Sequence, residues 1–309
     1  MKKLSDYLTP EYILRPSQII RRIKLKLDGK IVNEYEKIIL PWNLYIRLKP
    51  YDFIGIYVWF FGVYDLCVSE AIWRLIDPGE CAVDVGANIG YMTSIMAVKV
   101  SPKGKVICFE PHPELYEELR INVNNWNQNN IGKIAVHQLA ISDISGEGIL
   151  GIPDSFKTNR GLASLVSDNE SKTSKNQLFK VQMKRLDEIL DPKQEIGLLK
   201  IDVEGNEIKV VNGAGELIIN GNIRDIIFED FGEYPTSVTN FLEAHGYTLF
   251  YLQRNFWGLV VDDIKRKKYK DNQQMPEGPS YLATKDPGRA IRRLRKKGWG
   301  ILGFGPLPL

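Results

Sequence analysis

Apolar and polar positions alternate most regularly from Glu70 onward. Glu70 to Ile76 has helical spacing, Asp77-Pro78-Gly79 turns the chain, and Cys81-Ala82-Val83-Asp84-Val85 is a short apolar run suited to a central parallel strand. Helical spacing returns over Tyr91 to Val100, Ser101-Pro102-Lys103-Gly104 breaks it, and Val106 to Phe109 supplies a second buried strand ending at Glu110. This β-α-β unit is followed by a helix from Pro113 to about Asn125, a strand over Ile134 to Leu139 and a loop at Ala140-Ile141-Ser142-Asp143. Such alternation predicts an α/β fold, a mostly parallel sheet with helices on both faces.

Residues 145–185 interrupt the rhythm with Gly, Ser, Asn and Lys. Strand-like pieces such as Phe179 to Met183 predict an inserted β hairpin or lid there. The rhythm then resumes. Leu186 to Leu190 is a short helix, Ile196 to Ile201 a strand ending in Asp202, and Ile226-Ile227-Phe228 a strand ending in Glu229-Asp230. Gly246 to Leu252 and Trp257 to Val261 are expected to close the sheet as antiparallel strands. Residues 1–69 are read as an N-terminal cap with a tight hairpin turn at Leu27-Asp28-Gly29-Lys30. Within it, Phe53 to Tyr64 is too short to span a bilayer and is read as a buried strand or packed edge. The main domain is expected over 70–285. The basic tail 286–309, with Arg289, Arg292, Arg293, Arg295, Lys296 and Lys297, is expected to be solvated, mobile and removable without unfolding the domain.

Composition adds limits. The 309 residues are 44% apolar and 26% charged, enough for a substantial core, and a formal net charge of +3 gives no whole-molecule reason to expect nucleic acid as partner. Cys67, Cys81 and Cys108 form no metal or redox motif, which suits a reducing cytoplasm. Met1-Lys2-Lys3 starts like a signal peptide, but Asp6, Pro10, Glu11 and Arg15 interrupt the apolar stretch that secretion needs.

Candidate chemistry lies at strand ends. Gly86 and Gly90 flank the first strand-to-helix turn, where a ligand would approach main-chain amides, but Asn88 stands where a dinucleotide loop has its middle glycine. Glu110, at the next strand end, is placed to accept hydrogen bonds from both ribose hydroxyls of an adenosine. Asp84 is expected to bond loop amides or face the ligand's cationic end. At the fourth strand end, Lys200, Asp202 and Glu204 would share one face of an extended segment. His112 is read as a helix start and His137 as a packing residue.

Together, Val83-Asp84-Val85-Gly86-Ala87-Asn88-Ile89-Gly90, Phe109-Glu110-Pro111, Asn159-x-Gly161-x-x-Ser164-Leu165, Leu186-Asp187-Glu188-Ile189-Leu190 and Lys200-Ile201-Asp202-Val203-Glu204-Gly205 resemble the FkbM family of methyltransferases, over roughly Leu66 to Lys285. The resemblance implies a class I methyltransferase (Rossmann-like) fold with S-adenosylmethionine as cofactor. It implies that Gly86 to Gly90, with Ala87 and Asn88, wrap the methionyl part, that Glu110 holds the ribose, and that Ser142 and Asp143 lie near the adenine. It further implies O-methylation of a hydroxyl on a sugar, glycan or glycolipid, or secondary metabolite. The basic, aromatic-tipped tail is not part of the family pattern.

An alcohol needs its proton removed as the new bond forms, and Asp202 and Glu204 are the candidate acceptors of that proton. Glu229 and Asp230 would complete a four-carboxylate cluster able to suit Mg²⁺ or Ca²⁺, but strand-end acids more often bond the scaffold, so no metal ligand is assigned. Two rival readings are a nicotinamide-dependent oxidoreductase, and a membrane-surface module using Arg289 to Lys297 against anionic lipid with Trp299 to Phe304 as an apolar foot.

Overall fold

The computed structural model describes residues 9–14, 34–127, 129–153, 156, 159–166, 177–265 and 279–303. The expected turn at Leu27 to Lys30 lies outside them. A short helix α1 (Pro10–Leu14), a hairpin of β1 (Glu36–Ile39) and β2 (Tyr45–Leu48), and helix α2 (Phe53–Phe61) precede the main domain. The domain proceeds through α3 (Leu66–Leu75), β3 (Cys81–Val85), α4 (Tyr91–Val100), β4 (Lys105–Phe109), α5 (Pro113–Trp126) and β5 (Lys133–His137). An insertion follows, made of β6 (Ala140–Ile141), β7 (Gly146–Ile152), β8 (Ser164–Val166) and β9 (Gln177–Lys184). Then come α6 (Leu186–Ile189), β10 (Ile196–Ile201), α7 (Glu207–Gly213), α8 (Gly215–Ile219), β11 (Ile223–Glu229), α9 (Ser237–Ala244), β12 (Thr248–Asn255), β13 (Gly258–Asp263), β14 (Ser280–Thr284) and α10 (Pro287–Leu294).

The main sheet has the order β13-β12-β14-β11-β10-β3-β4-β5. β11, β10, β3, β4 and β5 run parallel, while β14, β12 and β13 are antiparallel. Strand alternation explains why both faces are covered. Cys81, Val83 and Val85 of β3 enter one core with Val210, Val211 and Leu217 of α7 and α8, whereas Ala82 enters the other beneath α3, α4 and α5. The strand order reverses between β3 and β10, which opens a crevice beyond the C-terminal ends of the parallel strands. Helix entry is locally encoded: Asp65 caps α3 by accepting the Val68 amide, and the His112 ring caps α5 ahead of Pro113.

Four expectations change. Phe53 to Tyr64 forms helix α2 through Phe61; its buried positions Ile54, Gly55, Val58 and Trp59 repeat at helical spacing, which a run apolar almost throughout had concealed. Ala140–Ile141 is a strand paired with β9, so the insertion is a four-stranded sheet, β6-β9-β7-β8. β14 lies between β11 and β12, a position its short apolar sequence did not signal. No single helix among the described residues is long and apolar enough to cross a membrane; α2 and α3 pass such a test only together, bent by 76°.

The fourth change is the tail. Residues 286–303 are fastened to the domain: Arg289 pairs with Asp77 and the fully buried Asp225, and Arg293 pairs with Asp77. Arg74 donates to the carbonyls of Arg293, Leu294, Lys296 and Gly298, while the buried Glu70 carboxylate accepts the amides of Gly300 and Ile301. Trp299, 1% exposed, Ile301 and Leu302 are inside the core, because folding gains more from burying that apolar area than from leaving it in water. These residues are therefore no apolar foot. Trp299→Ala is expected to destabilise the protein by about 3–5 kcal/mol in denaturant unfolding; a mobile tail would leave the midpoint unchanged.

Candidate active site

A cavity of about 830 Å³ occupies the crevice beyond the parallel strands, within the usual range for small-molecule sites. Its floor is the end of β3 and the loop that follows, Val85 to Asn88, with Phe109, Glu110 and Pro111 at the end of β4 and Leu139 to Ile141 after β5. Opposite lie Lys200, Asp202, Val203, Glu204 and Glu229 at the ends of β10 and β11. The roof comes from Phe53, Tyr57 and Tyr64 of the cap and from Asn159 to Leu165 of the insertion.

The β3–α4 loop spends its amides on itself and on the end of β4. Gly86 and Ala87 N–H both donate to the Phe109 carbonyl at 3.0 Å, Asn88 N–H to Glu110 at 2.8 Å, Ile89 N–H to Asn88 Oδ1 at 2.8 Å, and Gly90 N–H to the Ala87 carbonyl at 2.9 Å. A loop that cradles a pyrophosphate leaves such donors for the ligand; this one does not. Glu110 is buried, and its two oxygens accept the Asn88 and His112 amides, so the loop and the β4 end are tied together. Burial raises its carboxyl to about 7 against the pull of those amides and of Lys200. Hydroxyl donors from a ribose would add to the same carboxylate and favour its charged form.

The β10 end is organised by Lys200. Its Nζ lies 3.1 Å from the Gly86 carbonyl, 3.4 Å from Asp84 and 3.1 Å from Asp202. Burial opposes its charge, but the Asp202 and Asp84 carboxylates outweigh it and hold the ammonium above its usual range. Beyond Asp202 the chain turns sharply, with Glu204 at φ +51° and the Glu207 carboxylate accepting the Val203 and Gly205 amides. Burial, then the Asp202 and Glu207 charges, raise Glu204 to about 7. Burial, Asp202 and Asp65 push Glu229 well above the ordinary carboxylate range. Asp65, Asn88 and Glu204 all have positive φ and all line the cavity, so strained backbone gathers at this site.

The Asn159–Leu165 segment is pinned over these acids. Asn159 Oδ1 accepts the Gly161 amide, Asn206 Nδ2 donates to the Leu165 carbonyl, and Arg160 is buried between Glu118 on α5, at 2.6 and 3.0 Å, and Asp52. A methyl group placed on Gly161 would lie 3.7 Å from Glu204 Oε1, which sets the carboxylate directly beneath the segment.

The profile described as "Methyltransferase FkbM domain" matches residues 84–249. The chain belongs to that family. The FkbM cofactor is S-adenosylmethionine, and the loop fits it: a carboxylate in the cavity wall and a turn with no spare amides suit a nucleoside bearing an amino-acid tail and no phosphate. Among curated relatives, methyltransferase sdnD of Sordaria araneosa is 29% identical over 162 residues, 43% of this chain and 60% of that protein. Methyltransferase 1 of Beauveria bassiana is 26% identical over 192 residues, 54% of this chain and 72% of that protein. A crystal structure of a SAM-dependent O-methyltransferase from Thermotoga maritima aligns with 72% of this chain and 66% of its own at 14% identity and TM-score 0.39.

The FkbM motifs converge on this cavity, but not all their residues face it. Gly86, Ala87, Asn88, Glu110, Asp202 and Glu204 line it. Asp84 does not: fully buried behind the loop, it accepts Thr93 Oγ1 at 2.6 Å and pairs with Lys200. Gly90 turns into α4 at φ +92°, where a methyl would meet Leu119 at 2.6 Å and Trp126 at 3.2 Å, so its smallness serves packing on α5. Ser142 and Asp143 also lie off the cavity. The Ser142 carbonyl abuts Gly213 of α7, and its hydroxyl donates to Asp143; Leu139 to Ile141 take the wall position instead. Asp230 is a turn residue that accepts the Gly232 amide and the Thr236 hydroxyl, while Glu229 faces the cavity. Glu204 arrives through the turn at Val203–Gly205, not along one strand face with Lys200. Asp65, Tyr57, Tyr64 and Arg160 were not singled out from sequence; only Arg160, inside the Asn159–Leu165 motif, carried a local signal. Among the described residues, no group of three or more His, Cys, Asp or Glu is placed to hold a metal ion.

Proposed function

We propose that this FkbM protein is an O-methyltransferase acting on a hydroxyl of a sugar, glycan or glycolipid, or secondary metabolite. The observation that carries the reading is the contact between the cofactor loop and the carboxylates: Gly86 packs so closely on the Asp202 carbonyl that a methyl there would lie 1.8 Å away. Asp202 and Glu204 therefore adjoin the loop that holds the donor. When bound, S-adenosylmethionine supplies a methyl group on a sulfonium. Gly86, Ala87 and Asn88 hold its amino-acid side and Glu110 its ribose, with Asp84 acting from behind through Lys200. An acceptor hydroxyl lodged under Phe53, Tyr57 and Tyr64 would give its proton to Glu204, whose carboxyl is tuned near neutrality, with Asp202 fixed beside it by Lys200. A neutral amine acceptor would need no such base, which favours oxygen. Much of the acceleration would come from holding the acceptor in line.

Self-satisfied loop amides argue against a nicotinamide dinucleotide. A small-molecule or glycan acceptor suits the cavity's size. Three buried free thiols, Cys67, Cys81 and Cys108, support a cytoplasmic setting.

Calorimetric titration with S-adenosylhomocysteine is expected to show saturable binding, with none for NAD. Glu110 must be charged to accept both ribose hydroxyls, so affinity is expected to fall as pH drops below about 7, and Glu110→Gln to weaken binding and flatten that dependence. Tight NAD binding, or no binding of the homocysteine nucleoside by folded protein, would overturn the reading.

A further inference from the structure

β12 and β13 are joined by a hairpin tip at Phe256 and Trp257, with the two rings edge to face at 4.9 Å. Trp257 is 72% exposed and Phe256 37%, although each has its backbone fixed: the Phe256 carbonyl accepts Trp299 Nε1, and the Trp257 carbonyl accepts the Gly298 amide. The tip is thus a rigid, convex apolar projection. Those same bonds bring Lys296 and Lys297 beside it, and Arg295 reaches the neighbouring strand at the Val261 carbonyl. Arg295, Lys296 and Lys297 are exposed, and none of the three has an acidic partner among the described residues.

Topology sets which way this patch faces. β14 pairs Ser280 with Glu229 of β11 and also with Leu252 of β12, so the Asn255 end of the hairpin lies at the same end of the sheet as Glu229. Phe231, on the cavity rim just beyond Glu229, is 69% exposed at that end too. The active-site end therefore carries exposed aromatics flanked by unpaired cations.

We propose that this end of the protein docks on an anionic lipid surface, with Phe256 and Trp257 entering the headgroup layer and Arg295, Lys296 and Lys297 facing the lipid phosphates. Aromatic rings on a protrusion suit the interface between headgroups and acyl chains, and adjoining cations add attraction that grows with the fraction of anionic lipid. A nucleic acid would instead be tracked by a basic groove with stacking platforms, and this patch is convex. The arrangement replaces the apolar foot expected at Trp299 to Phe304: the described aliphatic and aromatic residues there are buried, and the hairpin presents its own. Docking in this orientation would turn the cavity mouth toward the lipid. The surface proposal does not depend on which group is methylated.

The test is co-sedimentation of the full chain with vesicles of phosphatidylcholine alone and of equal parts phosphatidylcholine and phosphatidylserine. Binding to the mixed vesicles only is expected. Phe256→Ser/Trp257→Ser and Lys296→Glu/Lys297→Glu are each expected to lower the partition coefficient at least tenfold, with S-adenosylhomocysteine affinity unchanged as the measure of folding. If the aromatic double variant loses that affinity, Trp257→Ser alone replaces it, since most of that ring is in solvent. No binding by wild type, binding indifferent to the aromatic changes, or stronger retention by a single-stranded oligonucleotide that responds only to the lysine changes would each overturn the proposal. Loss of vesicle binding with cofactor binding intact separates this inference from the methyltransferase reading.

Discussion

Gly86→Ala is expected to abolish measurable S-adenosylhomocysteine binding. Two independent costs fall on this methyl. The residue sits at φ +79°, where an L side chain is strained by about 1 kcal/mol or more, and the Cβ would lie 1.8 Å from the Asp202 carbonyl oxygen, a backbone atom that cannot swing aside. Relief requires separating the β3–α4 loop from the β10 end, which pulls the Gly86 carbonyl from Lys200 and disturbs the Asp84–Lys200–Asp202 chain. A loss of about 3–5 kcal/mol in stability is expected alongside the binding defect, on the scale of a broken buried ion pair. Gly161→Ala is the contrasting variant: its nearest neighbour is the Asn159 side-chain oxygen at 3.2 Å, and cofactor affinity should survive. Calorimetry and thermal unfolding of the two variants together check the expectation; near-native binding by Gly86→Ala would mean the loop does not hold the cofactor as described.

Glu204→Gln is expected to lower kcat by about 10²- to 10⁴-fold, the usual contribution of a positioned general base, while leaving S-adenosylhomocysteine affinity nearly unchanged. The sign of the pH effect follows from the proton's direction. Glu204 accepts a proton only when ionised, and burial with the neighbouring Asp202 and Glu207 charges raises its carboxyl to about 7, so wild-type kcat should climb through neutral pH and level off above it. The glutamine variant should lose that limb. Asp202→Asn should also lose activity, but by a different route. It removes one of the two carboxylates holding Lys200 and lowers the charge that raises Glu204, so its limb should move to lower pH. A Glu204→Gln enzyme with native kcat and native pH profile would remove Glu204 from the mechanism.

The parallel strands and the glycine turn between β3 and α4 were legible because each is a local signal. Five buried residues flanked by turn residues specify a central strand, and Gly86 needs its smallness within a few residues of where the sequence displays it. Motif residues that do not line the cavity share one cause. Asp84, Gly90, Ser142 and Asp143 occupy motif positions, but which side of a loop a side chain takes depends on what packs behind it: Thr93 and Lys200 for Asp84, Leu119 and Trp126 for Gly90, and Gly213 for Ser142. Asp65 and Tyr64 reach the cavity only because the cap folds across the strand ends, and helical spacing in α2 was hidden by apolar residues on every side.

By itself, then, the sequence determined the α/β alternation, the glycine turn between β3 and α4, the acidic end of β4 at Glu110 and the family to which the chain belongs. All of these depend on periodicity or on spacings within one β-α-β unit. The tertiary structure alone decided that the basic tail is a clasp, that the Glu204 carboxylate stands beneath Gly161, and that Phe256 and Trp257 are exposed while Trp299 is buried. Burial, charge compensation and pKa are set by groups far apart in the chain, such as Glu70 with Ile301 or Asp77 with Arg293, and no local pattern encodes which of them meet.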